Sequence, residues 1–157
     1  MIVFKKGDIF TSKCKTLVNT VNCVGVMGKG LALQFKQKYP HMFTIYQLAC
    51  SHGLITKGGD IWQFSIQDLF PMKFSPEPIK ILCFATKEHW RNPSKIEWIE
   101  RGLQYIVDNH QSLNIESIAF PKLGCTNGKL NYEHQVKPLM IKYLSQLPEN
   151  ILIEIYE

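Results

Sequence analysis

The chain has 157 residues, 45% hydrophobic and 20% charged, with a mean hydropathy of −0.09. These values suit one globular domain over residues 1–157 and exclude a disordered, collagen-like or coiled-coil chain. Lys and Arg number 18 against 13 Asp and Glu, leaving +5 and a pI near 8.9, which serves solubility and also suits an anionic partner.

The longest clear apolar run, Ile81 to Ala85, is strand-sized, so no membrane association is expected. Met1-Ile2-Val3-Phe4-Lys5-Lys6 carries its charge after a short apolar stretch, the reverse of a secretory signal, and this assigns the chain to the cytoplasm. Cys14, Cys23, Cys50, Cys83 and Cys125 are odd in number and contain no C-x-x-C pair. They read as reduced structural thiols, with neither a disulfide framework nor a metal site.

In chain order, Ile2, Phe4 and Ile9 suggest a first strand ending near Gly7, and the β-branched run Thr16 to Asn22 a second. Leu31, Ala32 and Phe35 recur at helical spacing between Gly30 and Tyr39, and a second helical stretch runs from His41 to Cys50 and closes at Gly53, with Pro40 dividing the two. Asp60 to Ile66 alternates like a half-buried strand. Ile79 to Ala85 is nearly all apolar, as a strand covered on both faces should be, and a proline-containing loop over 67–78 joins the two.

Ser94-Lys95-Ile96-Glu97 has the pattern of a capping box, and Ile96, Ile99, Leu103, Ile106 and Val107 after it share one helical face. Ile115 to Pro121 reads as a strand. Val136, Leu139, Met140, Tyr143, Leu144 and Leu147 mark a last helix, in which Pro138 implies a bend or a later start. Ile151 to Tyr156 closes the series as a strand. Strands and helices interleave, so the expected fold is a three-layer α/β/α sandwich around a mixed, largely parallel sheet.

In such folds ligands gather at the loops leaving the carboxyl ends of the strands, and three of these loops carry chemistry. Asn19-Thr20-Val21-Asn22-Cys23-Val24-Gly25-Val26-Met27-Gly28-Lys29-Gly30 passes from a strand into a helix through glycines, so backbone N–H groups can face a diphosphate at the helix N-terminus. The spacing G-x-x-G-x-G is neither the dinucleotide fingerprint nor a Walker A sequence, and a tight strand-to-helix turn explains the glycines equally well. Pro121-Lys122-Leu123-Gly124-Cys125-Thr126-Asn127-Gly128 is a second such loop, able to form an opposing wall of donors.

The third loop, Thr86-Lys87-Glu88-His89-Trp90-Arg91-Asn92-Pro93, delivers a lysine, a histidine, a tryptophan and an arginine from a buried strand. Lys87 suits a nucleophile or a charge stabiliser if its surroundings depress its pKa. Trp90 beside Arg91 suits stacking on a base and pairing with a phosphate, although Trp98 nearby allows a core role for either tryptophan. His89 offers an acid or base, or is simply a surface residue.

Taken together, Gly7-Asp8-Ile9, Val18-Asn19-Thr20-Val21-Asn22, Met27-Gly28-Lys29-Gly30 and Gly124-Cys125 resemble the macrodomain family, whose members bind ADP-ribose in a cleft over an α/β/α sandwich. Within it, residues 25–40 and 85–98 are similar to the DarG branch, antitoxins that remove ADP-ribose from thymidine in DNA. The resemblance implies a DNA ADP-ribosyl glycohydrolase acting on ADP-ribosylated single-stranded DNA as antitoxin to a DNA ADP-ribosyltransferase toxin, working as a monomer without a cofactor beyond the ligand ADP-ribose. By the same resemblance Asp8 takes the adenine amino group, Ile9 lines the base pocket and Asn22 orients the distal ribose. Asn19, residues Gly25, Val26, Met27, Gly28, Lys29 and Gly30, and the segment Pro121, Leu123, Gly124, Cys125, Thr126, Asn127 and Gly128 complete the ADP-ribose site.

Lys87 is the implied catalytic residue, with Asn22 fixing geometry, and Thr86, His89, Trp90 and Arg91 are the implied DNA contacts, near Lys95. Related macrodomains that pair a catalytic lysine with an aspartate carry that acid where this chain has Gly128. The lysine would then act without the partner, which the anion of an imide-like thymine nitrogen, a tolerable leaving group, permits. The competing readings are a module that binds ADP-ribose without cleaving it and a hydrolase of ADP-ribosyl esters on proteins or metabolites. The further C-terminal region of DarG proteins has no counterpart in these residues.

Overall fold

The computed structural model describes residues 1–66, 78 and 80–157. Its strands are β1 (Ile2–Lys5), β2 (Thr16–Val21), β3 (Ile61–Ser65), β4 (Lys80–Ala85), β5 (Ser117–Phe120) and β6 (Leu152–Tyr156). The helices are α1 (Gly30–Lys38), α2 (Pro40–Ser51), α3 (Ile96–Asp108) and α4 (Lys137–Leu144). The sheet has six strands in the order β1-β6-β5-β2-β4-β3. Every neighbouring pair is parallel except β3 with β4.

The period-2 alternation of the strands sorts the core into two layers. Leu17, Val21, Ile81, Cys83 and Ala85 join Phe35, Met42 and Tyr46 of α1 and α2 on one face. Val18, Leu82 and Phe84 join Ile99, Leu103, Ile106 and Met140 of α3 and α4 on the other. Helices cover both faces, so the inner strands are mostly apolar, with Thr16 and Asn19 of β2 and Glu154 of β6 as buried polar exceptions. The expected sandwich with its mixed, largely parallel sheet is the observed one.

Two local expectations differ from the structure, and a third is resolved by it. Ile9 belongs to a 3-10 turn, Ile9–Thr11, and not to the first strand, because Asp8 Oδ1 accepts from Phe10 N at 2.9 Å and turns the chain. The capping box at Ser94 does not form: the N-cap of α3 is Lys95, and Ser94 Oγ is buried without a hydrogen-bond partner. Pro138 marks a later helix start. It lies in the first turn of α4, where a missing N–H costs nothing, and a π-helical turn, Tyr132–Val136, precedes it. The loop expected at 67–78 lies, except for Pro78, outside the described residues, as does Ile79 of the fourth strand.

Candidate functional site

β1, β6, β5, β2 and β4 all run parallel, so the loops at their carboxyl ends open on one edge of the sheet. They enclose a cleft of about 880 Å³.

The loop after β2 forms one wall and hangs on Asn22. Asn22 Oδ1 accepts from Val24 N at 3.0 Å and Val26 N at 3.3 Å, while Asn22 Nδ2 donates to Val26 O at 2.8 Å. Tyr46, fully buried on α2, donates its hydroxyl to Asn22 O at 2.7 Å and lies 2.9 Å from Asn22 Oδ1. Gln47 Nε2 donates to Gly25 O at 3.2 Å. The loop then enters α1 through Gly30, at φ +64°, with Lys29 as an N-cap that supplies no side-chain hydrogen bond. The first N–H groups of α1 are left for an anion, and the helix dipole favours one there.

The loop after β5 forms the opposite wall and is held by its own backbone. Leu130 N donates to Gly124 O and Ser94 N to Gly128 O, each at 3.0 Å. A Cβ at Gly128 would fall on both Ser94 Oγ and the Gly124 carbonyl oxygen, so no side chain fits there. This gives the physical reason why the chain lacks an acid at 128: the turn has no room for one. The two walls meet where Asn127 Nδ2 approaches to 2.9 Å of the space a Gly30 Cβ would fill.

Between the walls, the chain leaving β4 keeps its pairing with β2, through Thr86 N to Val21 O at 3.1 Å and Cys23 N to Glu88 O at 3.1 Å. This sets half-buried Lys87 beside Asn22. Lys87 Nζ donates to Trp90 O at 3.2 Å. Burial lowers its pKa from the ordinary lysine value, and the charges of Lys29 and Lys129 lower it further. Trp90 lines the cleft rim, 43% exposed. Its ring stacks on His89 with centroids 5.3 Å apart, and the Arg91 guanidinium sits 4.7 Å from its centroid. This exposure settles that Trp90 is not a core residue.

At the far end the cleft is lined by Gly7, Asp8 and Ile9 after β1 and by Tyr156 and Glu157 at the end of β6. Hydrogen bonding to Lys137, 2.7 Å away, holds the Glu157 carboxyl below its usual range.

The structure brings most of the expected residues to this cleft: Asp8, Ile9, Asn22, Val26, Gly28, Lys29, Gly30, Thr86, Lys87, Trp90, Pro121 and Gly124 to Gly128 all line it. Six do not, four of them for reasons of packing. Asn19 is fully buried with Nδ2 3.8 Å from Met27 Sδ, and Met27 and Leu123 are core residues. Gly25 turns toward Gln47 of α2. His89 and Arg91 stand outside the cleft, against Trp90. Sequence reasoning missed Thr20, Gln34, Lys122, Tyr156 and Glu157. The rule that parallel strands present their carboxyl ends together pointed to the last two. Among the described residues no three His, Cys, Asp or Glu side chains gather as a metal ion would require, and no helix is long and apolar enough to cross a membrane.

Residues 18–137 match the Macro domain family. The chain is a macrodomain. A Mycobacterium tuberculosis protein named DNA ADP-ribosyl glycohydrolase is 44% identical over 149 residues, which are 95% of this macrodomain and 40% of that protein. The solved macrodomain of Thermus aquaticus DarG superposes with a TM-score of 0.88 at 39% identity, covering 100% of this chain and 98% of that one. Thermosipho africanus DarTG, solved in complex with ADP-ribose, superposes with a TM-score of 0.87 at 38% identity, covering 99% of this chain and 41% of that one. The macrodomain spans about two fifths of the length of the curated relatives it matches.

Proposed function

We propose that this macrodomain is a DNA ADP-ribosyl glycohydrolase that removes ADP-ribose from thymidine in single-stranded DNA, acting as a cytoplasmic monomer against a DNA ADP-ribosyltransferase toxin. The observation that carries the reading is Lys87: half-buried, free of any carboxylate partner among the described residues, and delivered by the chain leaving β4 into the cleft that both glycine loops line. Similarity over nearly the whole chain to proteins named for this activity supports it. The cytoplasm keeps thiols such as the five here reduced.

In this reading adenine lies against Asp8 and Ile9, and the diphosphate between the N-terminus of α1 and the 124–128 loop. The distal ribose then sits beside Asn22 and Lys87, and the base emerges over Thr86 and Trp90. Asn22 has spent Oδ1 on the loop, so its contribution to the ligand is the remaining Nδ2 proton and the shape it imposes on its own loop.

The lowered pKa enlarges the neutral fraction of Lys87, which suits attack on the anomeric carbon. The C–N bond to the base breaks, its electron pair leaves on the imide nitrogen, and the proton shed by the attacking amine goes to that nitrogen. Water then displaces the amine and releases ADP-ribose.

A module that binds ADP-ribose without cleaving it is the second reading, favoured by the absence of room for an acid at 128. A single-stranded oligonucleotide carrying ADP-ribose on thymidine separates the two by gel shift. The wild type should remove the adduct, and Lys87→Ala should slow removal at least about 100-fold while ADP-ribose binding persists. The Lys87 glycosylamine opens reversibly to an imine as its ring C–O bond breaks, and borohydride should reduce that imine and trap the Lys87 adduct during turnover. Persistence of the DNA adduct with wild type, alongside ADP-ribose binding, would leave the non-cleaving module.

A further inference from the structure

Lys129 adopts the left-handed conformation, φ 65°, at the end of the second glycine loop. A residue with a Cβ holds that conformation only where its surroundings dictate it. Here they do: Ser94 N binds Gly128 O just before Lys129, and Leu130 N binds Gly124 O just after, each at 3.0 Å. The turn projects an exposed lysine at a position where glycine would meet no backbone penalty.

The four salt bridges among the described residues are Lys5 with Glu154, Lys15 with Glu116, Arg101 with Asp60, and Lys137 with Glu157. None involves Lys29, Lys87 or Lys129. Lys29 and Lys87 line the cleft, and Lys129 directly follows Gly128, which also lines it and whose carbonyl oxygen accepts from Ser94 N at the end of the loop that carries Lys87; in keeping with this, the charges of Lys29 and Lys129 both act on Lys87. Like charges gathered without a counter-ion are stabilised by a bound anion. The diphosphate of ADP-ribose answers Lys29, which caps α1 at the diphosphate wall. Lys129 is exposed one residue beyond the cleft-lining Gly128, on the loop bonded to Ser94, and so on the side where, in the proposed function, the base and its strand emerge over Thr86 and Trp90.

We infer that Lys129 binds a phosphodiester of the DNA strand adjacent to the modified thymidine, a contact that free ADP-ribose cannot make. This rests on the proposed function and identifies the residue that distinguishes a strand from a nucleoside.

The test uses Lys87→Ala as background, so that substrate is bound and not consumed. Dissociation constants are measured for an ADP-ribosylated oligonucleotide, for ADP-ribosyl-thymidine lacking phosphodiesters, and for ADP-ribose. Adding Lys129→Ala should weaken oligonucleotide binding about fivefold and reduce the slope of log Kd against log salt by about 0.7, the value for one phosphate on a single strand. Binding of the other two ligands should change by less than about twofold. Lys129→Gly removes the charge and relieves the backbone, so it should lose oligonucleotide affinity equally while folding at least as stably; Lys129→Arg should retain it. Equal weakening for all three ligands, or none for the oligonucleotide, would overturn the inference. The oligonucleotide-to-nucleoside ratio does not depend on turnover, so it is read independently of whether the wild type cleaves the adduct.

Discussion

The two glycine loops face one another across one cleft, but different parts of the chain hold them. The loop after β2 is braced from behind by side chains: Asn22 bonds within the loop, and Tyr46 and Gln47 reach it from α2. The loop after β5 is held by backbone bonds and by the absence of a side chain at Gly128, where any Cβ would meet Ser94 and Gly124. A wall tied by polar side chains loosens by degrees when one tie is cut. A wall that depends on an empty position fails outright when that position is filled.

The largest effect expected from this contrast is at Gly128. Gly128→Ala should destabilise the fold by about 3 kcal/mol and abolish ADP-ribose binding, read by thermal unfolding and calorimetry. Ser94→Ala should not rescue it, because the Gly124 carbonyl remains in the way. Tyr46→Phe comes next: removing a buried donor to Asn22 should cost about 1–2 kcal/mol and weaken ADP-ribose binding several-fold without unfolding the protein.

The Lys29→Met variant sharpens the comparison by way of pH. Cleavage should rise as Lys87 loses its proton, below the range of an ordinary lysine, because burial and then Lys29 and Lys129 lower its pKa. Removing Lys29 lifts part of that depression, so the rise in kcat should move to higher pH; an unmoved profile would mean that the first loop contributes no charge to the reaction. The smallest effect is Ser94→Ala alone, within about 0.5 kcal/mol, since its buried oxygen makes no hydrogen bond to lose.

Much of the fold was legible because burial writes itself into composition: Ile81 to Ala85 is apolar throughout and lies in an interior strand between β2 and β3, and Ile99, Leu103 and Ile106 mark the face that α3 buries. Ser94 misled because a capping pattern was also a packing residue for a distant glycine loop, a contact between residues about thirty positions apart that no local pattern encodes. At the site, the glycine loops and Lys87 could be read from residue types that follow strands. Which members of those loops face the cleft could not. Asn19, Met27 and Leu123 share segments with true lining residues, and their inward turn depends on strand parity and on helices packed behind. Tyr156 and Glu157 escaped notice because chain order does not reveal that the last strand lies between β1 and β5.

That placement of β6 also sets a timetable. Among the described residues β1 has no sheet partner other than β6, so Ile2 must wait for Ile153 and Phe4 for Ile155 before the first strand is paired. Closing so long a loop is slow compared with forming α3 or a local turn. A nascent chain can assemble both glycine loops around β2, β4 and β5 while the Asp8 end of the cleft is still open. Affinity for the full ligand therefore arrives in one late step, with the docking of the last strand, and a ligand already waiting in the cell favours that step by mass action.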